Sequence, residues 1–152
     1  MDFSKFDAMA STVQAQYEEA AKNTYSDEEA PAGWYIVNIE SLEIKATKTD
    51  QMPMLSAMFR IVDSFNGKNK NRCLFFNRKI AGTKNDGNMV RSAIGWLNSL
   101  EPSVPIDGFT TYTALNQQVE DMADELIGVV QYKIQYDPSK FNNISIEEAY
   151  DL

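Results

Sequence analysis

Histidine is absent from this 152-residue sequence, and cysteine occurs only once, at Cys73. Without histidine, neither a Ser–His nor a Cys–His catalytic pair can form, and imidazole metal ligands are excluded. A single cysteine rules out an internal disulfide and a cysteine-rich metal site, and it fits a reducing cytoplasm. The sequence therefore excludes the commonest nucleophilic enzymes and metal centres.

Other signatures are missing as well. The sequence contains neither a G-x-x-x-x-G-K-[ST] phosphate loop nor a strand-linked G-x-G-x-x-G motif. It has no run of about 18 apolar residues, so we expect no transmembrane helix, and no N-terminal basic region precedes an apolar run, so we expect no secretory signal. The 22 acidic residues include no pair that is set apart by its spacing. We predict a cytoplasmic protein that is not an enzyme and needs no metal or other cofactor.

The charge of the sequence is unevenly distributed. The net charge is −8 at pH 7, which by itself disfavours a polyanionic partner. Between Lys45 and Arg91, however, ten basic residues stand against three acidic ones, which leaves this stretch at +7. The ten basic residues are Lys45, Lys48, Arg60, Lys68, Lys70, Arg72, Arg78, Lys79, Lys84 and Arg91. Such a cationic middle is typical of a phosphate-binding surface or of an ordinary solvated face.

The N-terminal part of the chain predicts a helix and a linker. Residues 3–22 carry an apolar stripe at spacings of three and four: Phe3, Phe6, Ala10, Val13, Tyr17 and Ala20. We expect this amphipathic helix to pack on the domain or on a second subunit, which would make a homo-oligomer. The acidic segment 24–32 follows without periodicity. We therefore divide the chain into a leader at residues 1–30 and one folded domain at residues 31–152.

From Gly33 the hydrophobic period changes to two, which indicates β-strands. In the first strand the apolar phase flips between Ile39 and Leu42. An uninterrupted strand cannot keep one face buried through such a flip, so we predict a β-bulge near Glu40–Ser41. A second strand follows with alternate residues in the core: Leu55, Ala57, Phe59 and Ile61.

A basic turn at residues 67–72 leads into a third strand at about residues 72–80, which allows two facing patterns. In the first pattern, Leu74 and Phe76 point inward, and the outward residues are Phe75, Asn77 and Lys79. In the second pattern, Cys73 and Phe75 point inward, and the outward residues are Arg72, Phe76 and Arg78. Both patterns leave an exposed aromatic ring beside an exposed cation.

The remainder of the chain predicts two helices and two more strands. Apolar residues at helical spacing predict a helix at residues 88–100. A second helix is predicted to be capped by Thr113 and to end at Gly128. Strands are expected at residues 129–136 and 141–150. This order is that of an OB fold, a five-stranded Greek-key barrel with a helical connection between strands three and four. We predict a mainly β fold of this kind, with an N-terminal helix and residues 47–53 and 137–140 as clamping loops.

Five segments of the sequence are similar to a known family. They are Pro31-Ala-Gly-Trp-Tyr-Ile-Val, Thr47-Lys48-Thr49-Asp50, Phe59-Arg-Ile-Val62, Gly67-Lys68 leading to Arg72-x-Leu74-Phe75, and Leu126-Ile-Gly128-x-Val130. Over about residues 30–150 the chain resembles small phage-encoded single-stranded-DNA-binding proteins, whose domain was long catalogued as of unknown function. The resemblance implies an OB fold, sequence-tolerant binding of single-stranded DNA, and a role in phage replication or recombination in the host cytoplasm. The chain departs from the family in its long N-terminal helix and in the asparagines of its basic turn.

Sequence-tolerant binding of a single strand combines cations that track phosphates with aromatic faces on which bases stack. The candidate phosphate contacts are Lys45, Lys48, Arg60, Lys68, Lys70, Arg72, Arg78 and Lys79. The candidate stacking ring is Phe75 or Phe76. Trp34 and Tyr132 are weaker candidates, and Trp34 also suits the core.

Three alternatives remain open at this stage. The C-terminal Ile146-Glu-Glu-Ala-Tyr-Asp-Leu152 is similar to the acidic tails with which bacterial single-strand binders recruit replication and repair proteins, but it also suits a fifth strand, since no flexible spacer precedes it. An acidic interaction protein, such as a DNA mimic or host-factor inhibitor, would explain the net charge but not the cationic middle. A magnesium-dependent nuclease would require carboxylates that converge in a cleft.

Overall fold

The computed structural model describes residues 4–7, 9–10, 12–15 and 30–152. Its elements are α1 (Ser4–Asp7), β1 (Gly33–Ala46), β2 (Pro53–Ser64), β3 (Cys73–Lys79), α2 (Asp86–Ser99), α3 (Tyr112–Leu126), β4 (Val130–Tyr136) and β5 (Ile144–Asp151). The predicted mainly β fold, with helices between the third and fourth strands, is confirmed. No helix in the described part of the chain is long and apolar enough to cross a membrane.

The predicted N-terminal helix at residues 3–22 lies largely outside the described residues, as does most of the linker at 24–32. Within this stretch, the structure shows α1 and further helical backbone at residue 10 and residues 12–15. The amide of Val13 donates a hydrogen bond to the carbonyl of Met9 at 3.1 Å. The side chains of Met9 and Val13 are exposed. Packing of the apolar stripe on the domain or on a second subunit stays a prediction.

The five strands form one antiparallel sheet in the order β3-β2-β1-β4-β5, which makes β3 and β5 its edges. Among the described residues no ladder joins the two edges, so the sheet is open. Side chains nevertheless connect them. The amide of Asn143 donates to the carbonyl of Phe75 at 2.9 Å, and the guanidinium of Arg78 donates to the side chain of Asn142. The edge of β3 therefore lies against the turn that precedes β5.

The predicted bulge in β1 is confirmed. Ile39 pairs with Phe59 and Ser41 pairs with Met58, so Glu40 is the additional residue. The bulge returns Leu42 to the core side, on which Ile39 already lies, and both side chains are buried. It also turns the side chain of Glu40 toward solvent. A second register shift lies between Ile36 and Val37, which the hydrophobic pattern did not indicate.

The first of the two facing patterns for β3 is the one observed. Leu74, Phe76 and Arg78 are buried, whereas Phe75 is 53% exposed. Because side chains alternate across a strand, the buried position of Phe76 places Phe75 on the opposite side of the sheet. Arg78 belongs to the buried row, and its burial removes it from the predicted phosphate contacts.

Two helices complete the core on the inner side of the sheet. Trp96 of α2 stacks on Phe76 with ring centroids 4.0 Å apart, lies edge-on to Phe59, and donates its indole N–H to the carbonyl of Ile144 at 2.9 Å. The buried residues of α3 are Leu115, Val119, Met122 and Leu126. One aromatic side chain of α2 thus contacts β2, β3 and β5.

Three predicted boundaries are wrong by a few residues, for local reasons. α2 begins at Asp86 because Asn85, not a later residue, accepts the amide of Asn88 at 3.3 Å. α3 begins earlier than predicted because Thr111, and not Thr113, accepts the amide of Ala114 at 3.1 Å.

The third wrong boundary is the start of β5. It begins at Ile144, not at residue 141, because the amide of Asp137 donates to the carbonyl of Asn143 and closes a turn over the residues between them. The end of α3 next to Gly128, which has φ +80°, agrees with the prediction.

The C-terminal residues form a strand. β5 pairs with β4 as far as Asp151, which lies opposite Val130, and the amide of Leu152 donates to the carbonyl of Val129 at 2.9 Å. Of the two sequence interpretations, the fifth strand is therefore the one observed, and residues 146–151 are not a free tail.

Candidate nucleic-acid interface

The side of the sheet opposite the core is called the outer face. On it, residues of β3, β2 and β1 lie opposite one another in cross-strand rows. Along β3 its residues are Cys73, Phe75, Asn77 and Lys79, and their partners on β2 are Arg60, Met58, Ser56 and Met54. The next row, on β1, contains Asn38, Ser41, Glu43 and Lys45. This arrangement places polar, cationic and aromatic side chains on one continuous surface.

Phe75 is the large aromatic side chain on this part of the outer face. Its neighbour across the ladder is Met58, which is half-buried. On the next row Ser56 donates to the side chain of Asn77 at 2.7 Å, which fixes the polar surface beside the ring. The exposed ring of Phe75 leaves an aromatic face in water, and such a face can stack on another planar group.

Two of the predicted phosphate contacts are held in ion pairs. Arg60 contacts Glu40 through two nitrogens, at 2.5 and 3.0 Å, and donates a third hydrogen bond to the carbonyl of Asn71 at 2.8 Å. Lys79 forms an ion pair with Asp50. The hydrogen bond from Arg60 lowers the pKa of Glu40, and those from Lys79 and Thr47 lower the pKa of Asp50.

These ion pairs correct the charge count made on the sequence. The count covered only residues 45–91 and so did not include Glu40 and Glu43, which the fold brings onto the same surface. The outer face is consequently less cationic than +7. The reason is that antiparallel pairing places β1 beside β2, so acidic residues that precede Lys45 in the sequence lie next to the basic residues of β2.

Four predicted cations are exposed: Lys45, Lys48, Lys68 and Lys70. Lys45 lies at the end of β1, in the same row as Met54 and Lys79. Lys48 lies in the turn between β1 and β2. In the part of the chain that the structure describes, these four lysines form no ion pair.

Lys68 and Lys70 belong to a structured turn between β2 and β3. Gly67, Asn69 and Asn71 have φ values of +69°, +69° and +70°. Asparagine is the residue type that best tolerates this left-handed conformation after glycine, which explains why the turn is rich in it. Asn69 is buried and accepts a hydrogen bond from Arg72 at 3.4 Å. The fold of the turn therefore depends on the asparagines and leaves the lysines to solvent.

Two residues that the sequence assigned to the interface are buried, and these assignments are corrected. Phe76 is stacked face to face on Trp96 and is 1% exposed, so its ring has no free face for a base. Arg78 is 3% exposed and donates to Ser92 and Asn142. Both lie on the inward row of β3, which the ambiguous alternation in the sequence could not identify.

The weaker stacking candidates occupy different surroundings. Tyr132 is fully buried, and its hydroxyl donates to the carbonyl of Leu100 at 2.7 Å. Burial raises the pKa of this tyrosine. Trp34 is half-buried on the outer side of β1, where the ammonium of Lys133 lies 5.5 Å from the ring centroid. Only Trp34 of these two has ring surface in contact with solvent.

One exposed aromatic residue near this surface was not predicted to bind. Phe141, in the turn between β4 and β5, is 69% exposed, and the Arg78 guanidinium lies 4.4 Å from its ring centroid. The sequence placed it in the fifth strand. Its position two residues after the Asp137-Pro138-Ser139 turn was the available signal that it lies in a loop.

A separate cleft of about 460 Å³ lies between α2 and the loop before α3. Its lining is mostly apolar and includes Val90, Ile94, Phe109 and Tyr112 together with Arg91. The described residues contain no group of three or more cysteine, aspartate or glutamate side chains placed to hold a metal ion.

Comparison with family models identifies the family to which the chain belongs. None of the curated proteins matches this sequence. A family model described as "Protein of unknown function (DUF669)" matches residues 12–149, which is most of the chain. The protein therefore belongs to the DUF669 family.

Proposed function

We propose that this protein is a sequence-tolerant single-stranded-DNA-binding protein that protects single strands during phage DNA replication or recombination. The observation that supports this most is Phe75, an exposed ring in the middle of the edge strand β3, on the outer face. A base stacked on Phe75 would cover the ring, and stacking does not require a particular base. The resemblance noted in the sequence supports the phage setting, and the host cytoplasm follows from it.

Phosphates in this proposal contact the exposed lysines around Phe75. Lys68 and Lys70 lie in the turn at one end of β3, and Lys45 and Lys48 lie at the other end of the β1–β2 pair. Cations at both ends of an aromatic surface are the arrangement with which a groove tracks the backbone of a single strand. Arg60 and Lys79 would join them where a phosphate competes with Glu40 or Asp50.

We also propose that the five strands are an OB fold. The strand order and the helical connection between β3 and β4 agree with that fold. The contacts of Asn142 and Asn143 with β3 bring the two edges of the sheet together, as closure requires. In an OB fold the second and third strands carry the nucleic-acid face, and here these are the strands that carry Met58 and Phe75.

A second candidate function is an acidic protein-interaction module, for example a DNA mimic. The observation that favours it is the pairing of Arg60 and Lys79 with carboxylates, in a protein whose net charge is −8.

If single-stranded DNA does bind, recruitment of replication or recombination proteins would use the exposed residues at the end of β5, which include Tyr150 and Leu152.

The test is binding of fluorescently labelled oligothymidine, followed by anisotropy at low and at high salt, with a labelled duplex of equal length as the comparison. We expect tight binding at low salt that weakens as salt rises, because phosphate contacts release counterions. Absence of binding at low salt would overturn the proposal and favour the acidic interaction module. Cleavage of the oligonucleotide only when magnesium is added would instead identify a nuclease.

A further inference from the structure

Phe141 and Arg78 form a stacked unit at the turn between β4 and β5. The guanidinium of Arg78 contacts two rings and lies 4.4 Å from the centroid of Phe141 and 4.9 Å from that of Phe76. Phe76 is buried in the core, whereas Phe141 is 69% exposed. One face of the Phe141 ring therefore lies over a fixed planar cation, and most of the ring is open to solvent.

Arg78 is fixed in this position from several sides. Its terminal nitrogens donate to Ser92 of α2 and to Asn142 of the turn. No carboxylate contacts it in the described part of the chain, and its Nε atom is buried without a hydrogen-bond partner. A buried cation needs compensation, and the two ring faces and two neutral acceptors supply it. The arginine thus joins β3, α2 and the turn instead of meeting solvent phosphates.

The turn that carries Phe141 lies against the edge of β3 that also carries Phe75. Asn143 donates to the carbonyl of Phe75 at 2.9 Å. Phe141 is two residues before Asn143, a distance of at most about 7 Å along the chain. Lys140, the residue before Phe141, has a side chain that is 73% exposed, and its ammonium lies 3.9 Å from the carboxylate of Asp137. A cation and an aromatic ring therefore follow each other on the turn whose Asn143 contacts β3 at Phe75.

We propose that Phe141 is a second stacking ring for single-stranded DNA, with Arg78 as the positioning residue that holds it. This inference rests on the proposed function and adds a path to it, in which the strand crosses the edge of β3 from Phe75 to the β4–β5 turn. A ring that is already held on a guanidinium loses little conformational freedom when a base stacks on its other face. Lys140 then contacts a phosphate next to the stacked base, where that phosphate competes with Asp137.

The first experiment compares Phe141→Ala, Phe75→Ala and Phe109→Ala in the oligothymidine binding assay. Phe109 is the matched control because it is an exposed phenylalanine in the cleft beside α2, away from the proposed path. We expect Phe141→Ala to lower the affinity about 5- to 150-fold, as loss of one stacked base predicts. Phe109→Ala should bind as the unchanged protein does. Urea unfolding of each variant confirms that it is folded.

A purely structural role for Phe141 predicts different results in two further measurements. Phe141→Trp should retain binding, and its additional indole emission should be quenched by oligothymidine, relative to the same titration of the unchanged protein. Arg78→Lys keeps the charge but loses the planar guanidinium. It should weaken binding in the unchanged protein and have no further effect when Phe141 is alanine, since the two residues would act through one contact.

The outcomes separate this inference from the proposed function. If Phe75→Ala weakens binding while a folded Phe141→Ala binds normally, the second ring is overturned and the proposed function stands. If Phe141→Trp shows no change in emission on saturation with DNA, the second ring is likewise overturned. If the unchanged protein does not bind oligothymidine at all, the proposed function fails first.

Discussion

At the scale of single residues, the interface depends on which side of one strand each side chain occupies. Phe75 and Phe76 are neighbours in sequence, yet one is 53% exposed and the other is stacked on Trp96 in the core. Substitutions at the two positions therefore affect different properties of the protein. Phe76 contributes to stability, and Phe75 is available to a ligand.

Replacing Phe75 by alanine should weaken binding of oligothymidine without unfolding the protein. Loss of one base–ring stack corresponds to about 1–3 kcal/mol, or about 5- to 150-fold in affinity. Phe75→Trp should bind as well as the unchanged protein or better, since a larger ring offers more stacking area. Anisotropy titrations measure both, and an unaltered affinity for Phe75→Ala would place the strand on another surface.

Asp50 should make part of the protein's stability dependent on pH. The hydrogen bond from Lys79 lowers its pKa below the ordinary value of 3.8. A carboxyl group whose pKa is lower in the folded state stabilises that state above the unfolded pKa, and the stabilisation is lost as pH falls through the folded pKa. Asp50→Asn should therefore be less stable than the unchanged protein at pH 7, and the difference should vanish as the pH falls through the lowered pKa of Asp50.

The measurement for Asp50 is urea unfolding of both proteins at a series of pH values. Asp50 also accepts a hydrogen bond from Thr47 within the β1–β2 turn. A difference in stability that stays constant down to the lowest pH would show that the side chain acts through the shape of this turn and not through its charge.

At the scale of elements, the outer face results from one bulge and one turn. The bulge in β1 releases Glu40 from the ladder, and Glu40 contacts Arg60 of the neighbouring strand β2. The turn between β2 and β3 uses three positive φ angles to reverse the chain while Lys68 and Lys70 stay exposed. The bulge reduces the positive charge available to a phosphate, because Glu40 pairs with Arg60. The turn supplies positive charge through Lys68 and Lys70.

Changing Lys68 and Lys70 together to alanine should flatten the salt dependence of DNA binding. Each phosphate contact on a single strand contributes a slope of about −0.7 to the plot of log affinity against log salt concentration, so loss of two contacts should reduce its magnitude by about 1.4. The matched control is Lys84→Ala with Arg91→Ala, two exposed cations at α2 and the loop before it, which changes the net charge equally. Equal slopes for the two double variants would contradict a phosphate-binding turn.

At the scale of the whole molecule, aromatic contacts join the strands that the open sheet leaves apart. Trp96 packs against Phe59 of β2 and Phe76 of β3, and its indole N–H donates to Ile144 of β5. This side chain therefore holds the two edges of the sheet around one core, beside the contacts that Arg78 and Asn143 make.

Trp96→Phe should destabilise the protein by about 1–3 kcal/mol, because the carbonyl of Ile144 loses its buried hydrogen-bond donor. Unfolding in urea followed by circular dichroism measures the change. Trp34→Phe serves as the control, because Trp34 is half-buried on the outer side of β1 and should lose less. A smaller effect at Trp96 than at Trp34 would mean that the edges are held together by other contacts.

The sequence by itself determined the order of the elements and the position of the bulge. Alternation and turn residues are local properties, and Ile39 and Leu42 can both be buried only if the strand gains a residue between them. The same local information identified the inward row of β2 and the helical connection after β3. It also indicated that strand five was a better interpretation of residues 146–151 than a free tail.

Only the tertiary structure decided which charges and rings are available at the surface. Arg60 and Lys79 meet Glu40 and Asp50 across 20 and 29 residues of sequence, and the facing of β3 follows from its packing against Trp96. Ion pairing and burial depend on which strands become neighbours, and no short segment of the sequence specifies that arrangement. For this reason the sequence identified Phe75 as one of two alternatives and did not predict a role for Phe141, whose ring lies on an arginine 63 positions away.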